Sequence, residues 1–379
     1  MEEDLRHTCT IAPRSVETFV LRVPNPPVPT PFGLNRGRET VLVRVTDAEG
    51  ETGWGEAWCN YPSGIGAEHR ARLIGAVLVP LLQTAESFTP AAAFERMTTS
   101  TRLLGVQSGE PGPLAQAIAG VDIALWDLAA RRAGVPLWRL LGGTRGQVPI
   151  YASGLAPAHA EELYPALRAT GWRALKVRIW GGDKNHAETL GRLRDLVEAD
   201  FGLMADANQS WSSDQALRQL QSFSGLDLGW IEEPIPADAP EADWKHLHEI
   251  SPVPISGGEN LRGHGFDWAL KGNFLDVVQP DMCKWGGFSG CLPLARRIMR
   301  AGKRYCPHYL GGGVGLIASA HLLAAAGGDG LLEYDQQDNP LRNDLITVPP
   351  VANGEMVLPG EPGLGVVPKL EAVREYRIT

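Results

Sequence analysis

The fold of this chain is decided by three short segments that share one plan: LMADANQ at residues 203–209, GWIEEP at residues 229–234 and PISGGEN at residues 254–260. Each segment is an apolar run that leads into an acidic residue, Asp206, Glu232 or Glu259. Short apolar runs bounded by turn residues are typical of buried parallel strands. The acids lie 26 and 27 residues apart with helical patterns between them, which is the length of one strand-helix unit in a barrel of about 250 residues.

The same alternation of strand and helix patterns continues on both sides of these segments. Strands are predicted at Val148–Ala152, Arg173–Ile179, Phe201–Ala205, Leu228–Ile231, Pro254–Ser256, Leu275–Val278, Lys303–Cys306 and Gly330–Leu332. Eight such units predict an α/β fold, a parallel barrel that closes by about residue 335. In such a barrel the carboxyl ends of the strands meet at one rim, where catalysis takes place.

The residues before the barrel follow a different order, with strands first and helices after them, which is typical of an α+β domain. Strands are predicted at Thr10–Arg22, Thr40–Thr46 and Glu51–Trp58, and helices at Glu68–Leu82, Ala91–Leu103 and Leu114–Ala133. Five prolines between Pro24 and Pro31 predict a surface loop, because proline cannot donate to a sheet ladder. The predicted domains are an α+β domain at residues 1–135, the barrel with a metal site at 136–337, and a C-terminal segment at 338–379 that packs back on the first domain.

Composition narrows the classes of function. The chain has 379 residues and a net charge of −9, which argues against nucleic acid or an anionic membrane as its main partner. Its cysteines are odd in number and form no C-x-x-C pair: Cys9, Cys59, Cys283, Cys291 and Cys306. This favours a reduced cytoplasmic setting over a Cys-rich zinc site. The charged residues 1–7 precede no signal core, and no run of about 18 apolar residues predicts a membrane span.

The three acids predict a metal site. A lone acid after a strand is commonly a helix cap or a turn residue. Three acids at a constant spacing are harder to assign to capping, and Glu232 is followed by Glu233 and Pro234, so capping would not need both glutamates. Carboxylates gathered at one rim would repel one another without a cation, and a hard divalent ion such as Mg2+ prefers oxygen ligands.

The same rim is predicted to collect further ionisable residues. Lys176 and Arg178 are two residues apart on the second strand and therefore share a face. Asp281 follows the sixth strand, His308 the seventh and Glu333 the eighth. The two cations could be a solvated pair and the histidine could be structural. An aspartate on the neighbouring strand can instead orient an imidazole, which makes the histidine a general base.

The order of these residues resembles the mandelate racemase branch of the enolase superfamily. The motifs that carry the resemblance are Lys-x-Arg at 176–178, Asp-x-Asn at 206–208, Ile-Glu-Glu-Pro at 231–234, Gly-Glu-Asn at 258–260, Pro-Asp at 280–281 and the late His308. The segments ALWDLA at 124–129, GVPL at 134–137 and LLGG at 140–143 are also characteristic of these proteins. The resemblance covers essentially the whole chain.

This resemblance implies a modified TIM barrel of the (β/α)7β type, with an N-terminal capping domain that the C-terminal segment completes. It implies that Asp206, Glu232 and Glu259 bind Mg2+, that the substrate is a small-molecule carboxylate, and that the protein is a homo-oligomer. As in other enolase-type sites, a base would remove the proton α to the carboxylate. Mg2+ and Lys176 would neutralise the charge that develops, and a protonated Glu333 would donate a hydrogen bond to the enolate.

One departure from the family pattern affects the expected reaction. Members that racemise usually have Lys-x-Lys, whereas this chain has Arg178 at the second position. A guanidinium stays protonated and is a poor base, so His308 with Asp281 is left as the base. One-base chemistry suits β-elimination of water, the reaction of an acid-sugar dehydratase, and it could equally suit a lactone cycloisomerase. Two further hypotheses are a racemase or epimerase on the same scaffold and a metal-binding protein without activity.

The expected substrate is a hydroxylated acid, such as a sugar acid or diacid, because the predicted pocket is polar. Its expected contacts, besides the residues named above, are Asn208, Lys284 and Tyr309. The glycine run at 311–315 could present backbone N–H groups to a distal carboxylate, or only allow tight helix packing. The sequence from residue 307 to residue 342 also resembles galactarolactone cycloisomerases. Segments 24–37 and 60–66 are expected over the barrel mouth, where they would exclude water.

Overall fold

The computed structural model describes residues 10–83, 86–181 and 184–378, so Cys9 and the charged residues 1–7 lie outside the described part. The chain begins with an antiparallel sheet in the order β1-β2-β3. Its strands are β1 (Pro13–Thr30), β2 (Gly33–Asp47) and β3 (Thr52–Ala57).

The prediction of a surface loop at residues 24–37 is wrong, because these residues form the end of the β1–β2 hairpin. Pairing continues to Thr30 opposite Gly33, with a register shift between Pro24 and Val28. The strand tolerates the prolines for two reasons. It lies at the edge of the sheet, where alternate N–H groups have no partner strand, and its bulge removes further residues from the ladder.

Helices follow the sheet: α1 (Gly66–Leu73), a π-helical turn (Ile74–Leu78), α2 (Val79–Leu82), α3 (Pro90–Ser108) and α4 (Pro111–Arg132). Helix α4 packs closely on β3. Glycine at position 55 allows this contact, since a Cβ added there would lie 2.1 Å from the Gly120 carbonyl oxygen. By length and composition α4 could cross a membrane, but 89% of its apolar window is buried inside the fold. Helix α4 is therefore the core helix of the first domain.

The short helix α5 (Leu137–Leu140) leads into a parallel barrel whose strands overlap all eight predicted strands. They are β4 (Gln147–Leu155), β5 (Ala174–Arg178), β6 (Gly202–Asp206), β7 (Ile231–Glu232), β8 (Ile255–Gly257), β9 (Val277–Val278), β10 (Arg304–Tyr305) and β11 (Leu332–Asp335). Neighbours pair in chain order, and β11 pairs with β4. Between β10 and β11 the Leu331 N–H lies 3.3 Å from Cys306 Sγ. The predicted fold class is confirmed.

Each of the first seven barrel strands is followed in the described chain by a helix. These helices are α6 (Pro157–Ala169), α7 (His186–Leu196), α8 (Ser213–Ser222), α9 (Glu241–Ile250), α10 (His264–Gly272), α11 (Gly287–Arg300) and α12 (Gly313–Ala326). The strand register aligns the functional residues: Arg178 pairs with Asp206, and Asp206 pairs with Glu232. Their side chains therefore start from one level of the carboxyl-terminal rim.

The C-terminal residues contact both the barrel and the first domain. They form α13 (Pro340–Asn343), β12 (Val351–Ala352), β13 (Glu355–Val357) and a 3-10 turn (Leu370–Tyr376). Strand β13 pairs antiparallel with the start of β4. Further on, the Leu364 N–H donates to Asp127 in α4 at 2.6 Å, and the Ile378 N–H donates to Val20 in β1 at 2.8 Å. The division at residues 135 and 337 stays a prediction.

His321 of α12 joins three parts of the chain from a fully buried position. Its Nδ1 accepts the Trp138 N–H at 3.0 Å, and its Nε2 lies 3.2 Å from the Leu364 carbonyl oxygen. The neutral ring with the proton on Nε2 satisfies both partners. Burial lowers the pKa of His321 to about 3, although the Leu364 carbonyl opposes the shift.

This burial predicts acid sensitivity. The unfolded chain takes up a proton at His321 near its usual pKa of about 6.5, whereas the folded chain does not until about 3. The contribution of the neutral His321 ring to stability is therefore fully present above the pKa that His321 has in the unfolded chain. This contribution is lost as the pH falls below that pKa. From about pH 6.5 to about pH 5.5 the wild type should lose about 1 kcal/mol more free energy of unfolding than His321→Gln. Urea titrations at both pH values measure this difference. The exposed His159→Gln control should keep the wild-type slope, and a wild-type slope in His321→Gln would contradict the prediction.

Candidate active site

A cavity of about 290 Å3 opens at the carboxyl-terminal rim of the barrel, between the barrel and the first domain. The barrel contributes Ser153, Arg178, Trp180, Asp206, Asn208, Glu259, Asn260, Lys284, His308, Leu310 and Glu333, and the first domain contributes Thr30, Phe32, Asn35, Trp58, Asn60 and Tyr61. The hairpin tip and the loop after β3 thus lie over the barrel mouth, as the sequence predicts.

Lys176 lies at the floor of the site and is almost fully buried. Its Nζ is 2.5 Å from Glu232 Oε2, 2.9 Å from Glu333 Oε1 and 3.8 Å from Asp206 Oδ2. Burial lowers the pKa of Lys176, but the negative charges around it outweigh burial and hold the pKa well above its usual value. Lys176 is therefore an ammonium ion that can stabilise negative charge.

His308 and Asp281 form the pair expected from the sequence. His308 Nδ1 lies 2.8 Å from Asp281 Oδ2, and the other oxygen of Asp281 accepts the N–H groups of Cys283 and Lys284 at 2.8 and 3.1 Å. On its other side His308 Nε2 lies 2.8 Å from Glu259 Oε2. Burial lowers the pKa of His308, but the charges of Glu259 and Glu333 raise it well above its usual value. The aspartate fixes the ring so that Nε2 faces the carboxylates.

Each of the three predicted metal ligands has polar partners. Asn208 donates to both oxygens of Asp206 at 2.8 Å, Gln279 Nε2 donates to Glu232 at 2.7 Å, and Lys284 Nζ lies 2.7 Å from Glu259. Among the described residues no three His, Cys, Asp or Glu side chains are arranged to hold a metal ion as they stand. Lysine and histidine nitrogens instead contact the carboxylate oxygens of Glu232 and Glu259.

The donor chemistry nevertheless fits a hard divalent cation. Three buried carboxylates from adjacent strands supply oxygen donors only, which is the set that Mg2+ prefers. Burial first, and then the charges of Glu232 and Glu259, raise the pKa of Asp206 to about 7. The negative charges of the neighbouring acids thus add to the effect of burial on Asp206. The buried Asn208 Oδ1 has no hydrogen-bond partner within the described ranges.

Two residues beside these acids have unusual backbone angles. Asn208 and Glu233 have φ angles of 47° and 38°, in the left-handed region. Residues with a Cβ rarely adopt this region, and such strain clusters at functional sites. Each follows a proposed ligand closely, which places the strain at the turns that present Asp206 and Glu232.

The surroundings of Glu333 favour its ionised form, whereas the hydrogen bond to the enolate that the sequence suggests would need a protonated carboxyl. Its carboxylate accepts hydrogen bonds from the Ser153 hydroxyl and from the Tyr309 N–H, the latter at 3.1 Å. Burial raises the pKa of Glu333, but the positive charges of Lys176 and His308 lower it below its usual value. Glu333 therefore accepts hydrogen bonds at this rim.

Tyr309 is not brought to the cavity, although the sequence suggests it as a substrate contact. Its hydroxyl lies 3.0 Å from Glu56 Oε1 and 2.6 Å from the Gly312 carbonyl oxygen. The Tyr309 side chain points toward Glu56 of the first domain. Gly311 and Gly315 leave room for its ring there. Of the other expected substrate contacts, Asn208 and Lys284 line the cavity, and Lys284 Nζ lies 4.7 Å from the Trp58 ring centroid.

The glycine run does bind a carboxylate, but the carboxylate belongs to Glu56 of β3. The N–H groups of Gly312 and Gly315 donate to Glu56 at 2.6 and 2.8 Å, and Thr40 Oγ1 donates at 2.7 Å. Burial raises the pKa of Glu56, although these donors oppose the rise. Glu56 thereby ties the first domain to the turn that follows His308. The only sequence signal that Glu56 joins the two parts of the chain was its position between the small residues Gly55 and Ala57 of a predicted strand.

Replacing Glu56 by Gln should lower stability, because a carboxamide nitrogen cannot accept the backbone N–H groups that face it. We expect a loss of about 1–3 kcal/mol for leaving buried donors unpaired. Urea unfolding monitored by tryptophan fluorescence measures this loss. The matched control is Glu17→Gln, which removes an exposed pair with Arg44 and should cost about 0–1 kcal/mol. Equal effects in the two variants would show that the Glu56 contacts do not stabilise the fold.

Comparisons with known proteins place the whole chain in one family. The model of the mandelate racemase/muconate lactonizing enzyme N-terminal domain matches residues 15–142, and the enolase C-terminal domain-like model matches residues 158–373. A D-galactarolactone cycloisomerase from Agrobacterium fabrum is 30% identical over 90% of this chain and 92% of its own. An L-talarate/galactarate dehydratase from Salmonella typhimurium is 33% identical over 74% of this chain and 70% of its own.

Solved structures show the same relationship. A mandelate racemase/muconate lactonizing enzyme from Bordetella bronchiseptica is 47% identical, with a TM-score of 0.88 over 97% of this chain and 100% of its own. A racemase from Streptomyces coelicolor with bound magnesium is 28% identical, with a TM-score of 0.84 over 97% of this chain and 100% of its own.

Proposed function

Because the chain belongs to the mandelate racemase/muconate lactonizing enzyme family of the enolase superfamily, we propose that this enzyme is a Mg2+-dependent acid-sugar dehydratase. It would remove the proton α to the carboxylate of a sugar acid or diacid and eliminate water. The observation that carries the proposal is the His308–Asp281 pair, 2.8 Å apart. It opens on the same cavity as Asp206 and Glu259.

Asp206, Glu232 and Glu259 would hold the Mg2+ ion. When bound, the ion supplies a positive charge that stabilises the enediolate. Support comes from the oxygen-only donor set, from the magnesium bound in the Streptomyces racemase and from the family itself. Lys176 would stay charged and face the carboxylate oxygen on which negative charge develops.

In this proposal His308 moves the protons. The charges of Glu259 and Glu333 favour a protonated His308. With these acids neutralised by Mg2+, Nε2 would give up that proton and accept the α-proton, while Asp281 holds the proton on Nδ1 and stabilises the imidazolium that forms. His308 then returns the proton to the hydroxyl on the β-carbon. The C–O bond breaks and water leaves as the enediolate collapses to an enol, which becomes the 2-oxo acid. Arg178 keeps its proton throughout, because a guanidinium is a poor base.

A lactone cycloisomerase is the second candidate, favoured by the 30% identity to the galactarolactone cycloisomerase. Both reactions begin with removal of the α-proton and differ in the fate of the enediolate. Incubating sugar acids and their lactones in D2O with Mg2+ separates them: a dehydratase converts the free acid to a 2-oxo acid with loss of water, whereas a cycloisomerase consumes the lactone and gives an isomer of it. Homo-oligomer assembly and a cytoplasmic location stay predictions.

Replacing His308 by Asn should abolish exchange of the α-proton, with a loss of about 10²–10⁴-fold, the usual contribution of a general base. Asp281→Asn should show a milder loss, because it removes only the group that orients the ring. Proton NMR in D2O measures the exchange rate. If His308→Asn exchanges at the wild-type rate and Lys176→Met does not, the base is Lys176 and the proposed assignment fails.

Replacing Glu232 by Gln should weaken Mg2+ binding, because it removes a charged oxygen ligand. Isothermal titration calorimetry measures the affinity, and circular dichroism checks that the fold is kept. The matched control is Glu233→Gln. Glu233 is the neighbouring acid, but its carboxylate accepts from Asn260 Nδ2 at 3.0 and 2.9 Å and is not among the proposed ligands, so this variant should keep most of the Mg2+ affinity. Wild-type Mg2+ affinity in Glu232→Gln would remove Glu232 from the proposed ligands.

A further inference from the structure

A second cavity, of about 530 Å3, adjoins the first on the side of the β1–β2 hairpin. The two cavities share Thr30, Asn35, Asn60, Arg178, Trp180 and Leu310 in their walls. Arg178 is half-buried at this junction. A ligand bound at the catalytic groups can therefore extend past Arg178 into the second cavity.

The ionisable residues of the second cavity leave an excess of positive charge. They are Arg38, Glu39, Arg178, Lys184 and His186. Arg38 is paired with Asp335 at 2.8 Å, and Glu39 is paired with Arg22 at 3.0 Å. Burial lowers the pKa of His186, which keeps its ring neutral near pH 7. Within residues 10–83, 86–181 and 184–378, neither the Arg178 nor the Lys184 side chain has an ion pair or hydrogen bond.

A half-buried cation without a partner is costly unless a ligand supplies the opposite charge. The planar guanidinium of Arg178 has two parallel N–H donors that match the two oxygens of a carboxylate. Lys184 adds a second positive charge to the lining of the second cavity. The neutral amides of Asn35 and Asn60 line both cavities and can serve hydroxyl groups of the same ligand.

We propose that the substrate is a dicarboxylate, whose distal carboxylate binds Arg178 and Lys184 in the second cavity. This inference rests on the proposed function, because the first carboxylate is placed at Lys176 and the acids of the rim. It assigns Arg178 to substrate selection, at the position where racemising relatives carry a second lysine. The preferred substrate is thus a hydroxylated diacid, in preference to the monoacid of the same chain length.

The test compares six-carbon aldaric acids with the aldonic acids of the same stereochemistry, which differ only at carbon 6. Binding is measured by calorimetry with Mg2+ and the His308→Asn variant, so that turnover does not interfere. Charge-assisted hydrogen bonds of about 1.5–3 kcal/mol correspond to a preference of about 10–100-fold for the diacid. Adding Arg178→Met or Lys184→Met should remove most of this preference. The control Lys245→Met, an exposed lysine of α9, should keep it.

Exchange of the α-proton in D2O by the wild type separates the two possible failures. One outcome is that aldonic acids exchange their α-proton, while aldaric acids neither bind more tightly nor react faster than aldonic acids. That outcome overturns the dicarboxylate inference and leaves the proposed function standing. A diacid preference that survives both Arg178→Met and Lys184→Met also overturns the distal site. If no acid of either class exchanges its α-proton, the proposed function fails and this inference fails with it.

Discussion

Negative charge concentrated at the carboxyl-terminal rim of the barrel is the constraint on which the rest of the site depends. Asp206 and Glu232 are paired in register on neighbouring strands, Glu259 and Asp281 follow strands of the same sheet, and Glu333 lies in β11. Buried carboxylates cannot remain ionised side by side without positive partners. Among the described residues, three side chains supply positive charge to these acids, and each contacts at least one carboxylate within 3 Å: Lys176, Lys284 and His308.

This arrangement allows the residues that neutralise the buried acids to serve also in the proposed chemistry. Lys176 lies between Glu232 and Glu333, and His308 lies between Asp281 and Glu259. A metal ion that joined the carboxylates would take over part of this neutralisation. It would leave the ammonium and the imidazole available to a substrate. Such an exchange would keep each buried carboxylate next to a positive charge, which is the condition for burying so many ionised groups.

The first domain completes the site in two ways. Glu56 binds the start of α12 and thereby fixes the turn after His308 to the sheet of the first domain. The β1–β2 hairpin forms walls of both cavities, including Thr30 and Asn35. In the proposed function, the barrel provides the groups that act on the α-carbon. The space between the domains would then select which acid reaches them.

The sequence by itself determined the barrel, its eight strands and the acids at their ends. These features depend on local periodicity and spacing, which a single chain displays directly. It also determined the pairing of His308 with Asp281 and the family, because ordered motifs survive where identity is low. The tertiary structure alone decided which way side chains face after a strand ends. Tyr309 turns to Glu56, Glu333 is ionised, and the prolines before Thr30 lie in an edge strand. Each of these outcomes depends on partners that are distant in the chain, since burial, charge balance and free sheet edges arise only when separate segments pack together.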